Sequence, residues 1–311
     1  MRIFLAGATG AVGRLLVPLL VAAGHRVTGT ARTAGGAERL RAQGAAAVPL
    51  DVLDAAGVER AVADAAPDAV IHQLTALAGG NRAENGRIRR EGTRHLVDAA
   101  RRAGVRRIVA QSISWAYEPG ATPAVESTPL DAAAVPPRAA MVGSLRALEE
   151  AVAEIETHVV LRYGTFYGPG TWYAPGGALD AVLRGTPLDG PGARPGAAMV
   201  GRVVPNGAIS SFVHVADAAR AAVAALGWPS GPVNVVDDEP APARDWLPAL
   251  AAALGAPAPA PVAPHREDRE DREDREGWER GADNTLARRL GWRPRHPTWR
   301  TGFHDQRQHR P

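Results

Sequence analysis

The segment Arg2-Ile3-Phe4-Leu5-Ala6-Gly7-Ala8-Thr9-Gly10-Ala11-Val12-Gly13 places an apolar strand, a turn holding three glycines and the start of an amphipathic helix end to end. Gly7 suits the tight turn, Gly10 lets a diphosphate approach the backbone, and Gly13 lets the helix pack closely on the strand. The first N–H groups of the helix are left free to receive an anion, with Thr9, Ala11 and Val12 in the same cradle. A second strand runs from Gly24 to about Arg32 and completes a βαβ unit. An NAD site would place Asp or Glu there for the ribose 2′-hydroxyl, but this chain offers Thr30, Arg32 and Thr33. A planar cation favours a 2′-phosphate, so the expected dinucleotide is NADP, with NAD as the alternative and a solvated surface arginine as the plainer reading of Arg32.

All 36 basic residues are arginine. A chain without lysine forms no Schiff base and has no ammonium group to lower the pKa of a neighbouring acid. It also has no cysteine, which removes disulfides and thiolate metal sites, so no metal centre is expected and the cytoplasm is the default compartment. Gly7, Gly10, Gly13, Arg14 and Pro18 interrupt the N-terminal apolar run, which argues against a signal peptide, and no stretch is apolar enough for a membrane span. The net charge of +3 and the absence of a basic stripe interleaved with aromatics argue against nucleic acid as a partner.

Strand and helix patterns alternate along residues 1–170, which predicts an α/β fold with a Rossmann-type doubly wound parallel sheet of six or seven strands. Residues 171–311 are expected to contribute further strands to that sheet and to form mainly a small C-terminal substrate-binding part, with a charged low-complexity insertion at 265–276. The Arg-Glu-Asp repeat in that insertion has no apolar face and reads as a solvated helix or flexible segment. Pro18 falls inside the first helix, where it removes a backbone donor.

Ligands of such sheets lie beyond the carboxyl ends of the strands, which selects the candidate residues. Asp51, followed by Val52, either accepts from an adenine amino group or caps the next helix. His72 reads as a satisfied strand-end residue, and Leu74, Thr75 and Ala76 beyond it would pass close to the diphosphate and the nicotinamide ribose. Ser112, Ser114 and Tyr117 place hydroxyls beside the expected nicotinamide. Tyr163 opens a glycine-punctuated aromatic loop whose backbone approaches the nicotinamide amide. Tyr167, Trp172 and Tyr173 form the expected substrate wall, against the plainer reading of a packed loop. Residues 185–209, rich in Gly and Pro, are long enough for a flap. Asp217 is expected to cap the helix that follows His214.

Gly-Ala-Thr-Gly at 7–10, Val70-Ile71-His72, Gly92-Thr93, Leu161-Arg162 through Tyr167-Gly168-Pro169-Gly170, Ser211 through Ala219, and Asn234-Val235 together resemble the extended short-chain dehydrogenase/reductases, the NAD-dependent epimerase/dehydratase family. The resemblance runs over about residues 1–240 and resumes at Leu290-Gly291-Trp292-Arg293-Pro294, which it implies packs back on the substrate part. It further implies NAD(P), a sugar-like or other small carbonyl or hydroxyl substrate, and a homodimer through the helices near 83–103 and 139–155. The family's catalytic tyrosine and lysine are missing. Counting back from Glu149 places Met141 and Leu145 at those positions, and Tyr117, or else Tyr163, Tyr167 or Tyr173, is the expected substitute donor, with Arg146 as the tuning cation. Three readings stay open: an oxidoreductase with a non-standard proton donor, a redox-neutral epimerase- or dehydratase-like enzyme, and a non-catalytic NADP-binding redox sensor.

Overall fold

A computed structural model describes residues 1–77, 81–201, 204–259 and 280–305. The charged repeat at 266–276 lies outside the described residues. Strand β1 (Arg2–Ala6) shows how the sequence builds the core. Ile3 and Leu5 point to one face of the sheet and Phe4 and Ala6 to the other, and all four are buried because helices cover both faces.

The chain continues through α1 (Gly13–Ala22), β2 (Arg26–Ala31), α2 (Ala34–Ala42), β3 (Ala46–Pro49), α3 (Ala55–Ala65) and β4 (Ala69–His72). The helix expected near 83–103 is realised as α4 (Arg82–Arg87), a π-helical turn (Ile88–Gly92) and α5 (Thr93–Arg102). β5 (Arg107–Ile113), α6 (Arg138–Val152) and β6 (Thr157–Tyr163) follow. Then come β7 (Thr165–Tyr167), α7 (Ala178–Leu183), α8 (Ala197–Val200), β8 (Ile209–Ser210), β9 (Phe212–His214), α9 (Val215–Ala224) and β10 (Gly231–Val235). β11 (Ala241–Pro242), α10 (Ala243–Leu254), α11 (Thr285–Arg289) and α12 (Trp299–Asp305) close the described chain.

Seven parallel strands form the central sheet in the order β10-β6-β5-β4-β1-β2-β3. The winding reverses between β1 and β4, so the glycine turn after β1 opens at the switch point, where doubly wound sheets bind their ligands. α1, α2 and α9 cover one face, and α3, α5 and α6 the other.

Pro18 lies within α1 without breaking it. The carbonyl that its missing N–H would have engaged, that of Arg14, accepts instead from the Gln43 side chain at 3.1 Å.

β10 joins the central sheet, and α9 and Trp292 pack into the same core layer as α1. The Leu290–Pro294 segment therefore closes on the nucleotide-binding half, where the Trp292 indole donates to the Asp217 carbonyl at 3.3 Å. A separate aromatic cluster of Tyr167, Phe212, Trp246, Trp299 and Phe303, built from β7, β9, α10 and α12, forms a second core.

Candidate cofactor and active site

The glycine turn fits a dinucleotide cradle on steric grounds. Gly7 has φ +91°, and a Cβ there would lie 2.5 Å from the Gln73 carbonyl oxygen. At Gly13 a Cβ would collide with the Gly7 oxygen, so the start of α1 can sit this close to the strand exit only without a side chain. Thr30 Oγ1 accepts from the Gly7 amide at 3.1 Å and pins the turn to β2. Among the described residues nothing accepts from the Ala11 and Val12 amides, which lie at the N-terminus of α1. Thr9 and Gly10 are exposed on the rim.

The chain leaving β4 passes over Gly7, with the Gln73 carbonyl and the Leu74 nitrogen against the turn. The Leu74 amide donates to His72 Nδ1 at 3.2 Å, and the Ala76 amide to Asn85 Oδ1 at 3.0 Å. With Nδ1 accepting, the proton of His72 sits on Nε2, 2.9 Å from Thr93 Oγ1. Burial, helped by the charge of Arg89, lowers its pKa to about 4, so His72 is a neutral structural residue.

Arg32 is exposed at the end of β2 and has no acidic partner among the described residues. Thr33 caps α2 beside it by accepting from the Gly36 amide. Asp51 is exposed and accepts from the Leu53 amide at 2.9 Å, whereas Asp54 caps α3, so the capping reading of Asp51 is corrected. Val52 is buried and holds His95 through its carbonyl.

The two serine candidates separate. Ser112, Arg162 and Asn234 are register partners on β5, β6 and β10 and share one face of the sheet. Ser112 donates to Glu149 Oε1 at 2.7 Å, Arg162 grips both oxygens of Glu149, and Arg162 also donates to the Tyr117 hydroxyl at 3.0 Å. Tyr117 in turn donates to Asn234 Oδ1 at 2.5 Å. The expectation that Ser112 and Tyr117 face the substrate is therefore corrected, since both are tied into a buried structural network. Burial, only partly offset by Arg162, raises the Tyr117 pKa to about 12. Its tuning cation is Arg162. Arg146 is exposed and lies 4.0 Å from Glu150.

Ser114 remains a candidate. Its amide donates to the Tyr163 carbonyl, while its hydroxyl has no partner among the described residues and lines a narrow cleft with Trp115, Thr165 and Ser211.

The aromatic loop is corrected in part. Tyr163 is core, packed on Phe166 with its hydroxyl donating to the Ala218 carbonyl at 3.3 Å. Tyr167 is fully buried, edge-on to Phe212, His214 and Phe303, because β7 pairs with β9 and turns its ring inward. Trp172 and Tyr173 remain partly exposed. Asp217 does not cap α9. His214 does, and the buried Asp217 carboxylate holds the His296 amide and ring and the Arg220 guanidinium.

Met141 and Leu145, which the sequence presents only as losses, belong to a coherent apolar cluster with Ile113, Ala116, Val142 and Trp115, in which Leu145 is fully buried. The signal is available in the spacing of Met141, Val142 and Leu145 on one side of a helix.

A glycine cradle at the switch point of a parallel sheet in this strand order defines a Rossmann-type nucleotide-binding protein. The chain belongs to the NAD dependent epimerase/dehydratase family, whose sequence profile matches residues 3–236. It is 44% identical over 320 residues, 97% of this chain and 99% of the relative, to a Streptomyces sp. protein named 3-diazoavenalumate denitrifying reductase. Among solved structures it is similar to the Thermus thermophilus UDP-glucose 4-epimerase in complex with NAD, at 25% identity and TM-score 0.74, covering 99% of this chain and 98% of that one. The Campylobacter jejuni UDP-Glc/GlcNAc 4-epimerase shares the fold at TM-score 0.75 and 18% identity, with 98% of each chain covered. The chain is thus an oxidoreductase-type enzyme using a nicotinamide cofactor. No helix among the described residues is long and apolar enough to cross a membrane.

Proposed function

We propose that the protein is an NADPH-dependent reductase that transfers hydride to the terminal nitrogen of an aromatic diazo compound, which then loses dinitrogen. The observation that carries this reading is the apolar cluster at the position of the missing proton-transfer pair. Hydride addition to a carbonyl creates an alkoxide that needs a positioned acid. Hydride addition to the outer nitrogen of an arenediazonium cancels a positive charge instead. The reduced nicotinamide, when bound, supplies the hydride. The N–N triple bond becomes the double bond of an aryldiazene, whose N–H proton is then lost as the C–N bond breaks, so that the ring carbon takes up a proton and N₂ leaves.

Such a substrate asks this chain for different services. Met141, Leu145 and Ile113 exclude water that would otherwise attack the electrophile. The partly exposed Trp115 offers a face to an aromatic ring, and Trp172 and Tyr173 supply the far wall. Ser114 holds the only sequence-predicted hydroxyl still open toward the cleft, and it orients a polar ring substituent. The name of the 44% identical relative supports the same chemistry. Arg32, without an acidic neighbour at the end of β2, favours the 2′-phosphate of NADPH, and Asp51 is left to approach the adenine.

The test is anaerobic incubation of the purified protein with NADPH and 3-diazoavenalumate, following the nicotinamide absorbance and release of ¹⁵N-labelled dinitrogen. One NADPH consumed per N₂ released supports the reading. Reduction of simple ketones without reaction of the diazo compound, or cofactor binding with no turnover, rejects it.

A further inference from the structure

Three arginines among the described residues are more than nine-tenths buried. Arg138, 5% exposed, has Asp131 at 2.9 Å, and Arg162, 6% exposed, has Glu149 at 2.6 Å. Arg89 is 8% exposed and has neither a carboxylate nor a carbonyl partner among the described residues. The acids near it in sequence are engaged elsewhere, Glu91 by Arg87 at 2.7 Å and Asp98 by Arg94 at 2.8 Å. Stranding a guanidinium in this way is costly, and a protein keeps such a group where something else completes it.

The surroundings show where that completion occurs. Arg89 lies in the π-helical turn between α4 and α5, a distortion that recurs at functional sites, and the turn packs against α6, the helix bearing Met141 and Leu145. Its charge bears on His72, at the carboxyl end of β4 beside the glycine turn. None of its three nitrogens, unpartnered among the described residues, is fully sealed, so a ligand can reach the guanidinium. Burial lowers its pKa to about 10, which leaves it a cation at neutral pH. The sequence carries the trace: Thr93, Leu96, Val97 and Ala100 follow Arg89 at helical spacing, so the residue falls in the buried stripe of its helix.

We infer that Arg89 is an anion-binding residue of the switch-point crevice, and that it receives an oxyanion of a bound ligand. Its fork matches a carboxylate or phosphate through paired hydrogen bonds. Two sources carry that chemistry, the phosphates of the dinucleotide and the carboxylate of the substrate. The assignment of sources rests on the reductase reading above, whereas the unpaired cation does not.

The experiment compares the wild type with Arg89→Met and Arg89→Lys. Removing an uncompensated buried charge is expected to raise the thermal midpoint of the ligand-free Arg89→Met protein by roughly 2–4 °C. Inorganic phosphate is expected to stabilise the wild type and not this variant. Calorimetry with NADPH, NADH, 4-hydroxycinnamate and 4-hydroxycinnamamide then assigns the source. A loss of about 10- to 100-fold for the carboxylate alone identifies the substrate, and the same loss for both dinucleotides identifies the cofactor. Arg89→Lys should retain part of whichever affinity is lost. A lower midpoint for Arg89→Met, or unchanged affinity for all ligands and no phosphate effect, overturns the inference. Failure of the wild type to bind either dinucleotide would reject the reductase reading and leave the midpoint and phosphate arms to decide on Arg89.

Discussion

Arg162 of β6 and Glu149 of α6 form a buried two-point ion pair, Nη2 to Oε2 at 2.6 Å and Nε to Oε1 at 3.0 Å, with side chains 8% and 14% exposed. The pair ties the sheet to the helix that carries Met141 and Leu145. Ser112, Tyr117 and the Glu126 carbonyl add further hydrogen bonds to it, so the polar groups that stand out in the sequence after β5 are largely consumed in holding the fold.

Glu149→Ala should therefore destabilise the protein by about 3–5 kcal/mol, because it leaves the Arg162 charge buried and unpaired. Urea denaturation followed by circular dichroism measures this. A loss below about 1 kcal/mol would show that solvent reaches Arg162.

Tyr117→Phe distinguishes a structural tyrosine from a proton donor. The variant should lose about 1–3 kcal/mol of stability, since Asn234 and Arg162 each forfeit a buried partner, while keeping its turnover of a diazo substrate. Loss of turnover with unchanged stability would return Tyr117 to the catalytic machinery.

Arg32→Ala should weaken NADPH binding by about 10- to 100-fold and leave NADH binding unchanged, the signature of a charge-assisted contact to the 2′-phosphate. Equal effects on both dinucleotides would locate Arg32 elsewhere.

Protonation of two buried histidines should destabilise the protein in acid, against the opposite contribution of Asp237 and Glu126, whose carboxyls burial raises. Burial holds His72 and His214 at about pKa 4, below the ordinary value of 6.5. The unfolded chain then binds more protons than the folded one between these values, so stability falls as pH drops from 6.5 toward 4. The fully buried His72 contributes up to about 1.4 kcal/mol per pH unit. Thermal midpoints recorded across this range should decline, and less steeply in His214→Asn, which keeps a side-chain cap on α9. A flat profile would mean that water reaches both rings.

Gly13→Ala probes the cradle. The added methyl group meets the Gly7 oxygen, so the variant should lose more than about 1 kcal/mol of stability together with its affinity for dinucleotide. Wild-type affinity in calorimetry would show that α1 can retreat from β1.

The alternation of apolar strands with amphipathic helices, the glycine turn and the missing Tyr and Lys were all legible in the chain itself, because each depends on local spacing. The parallel sheet and its switch point follow from that periodicity. Pairing across the sheet was not legible. Ser112 and Ser114 look equivalent in sequence, yet the chain leaves the strand between them, so one meets Glu149 and the other the cleft. Tyr167 was turned into the core by the pairing of β7 with β9, and Trp292 was drawn to α1 and α9 rather than to the substrate side. The sequence alone determined that a dinucleotide-binding sheet forms and that the usual proton-transfer pair is absent. Only the tertiary structure decided which polar residues are spent on each other and which, like Arg89 and Ser114, are left unpaired, because that choice depends on neighbours brought together from distant parts of the chain.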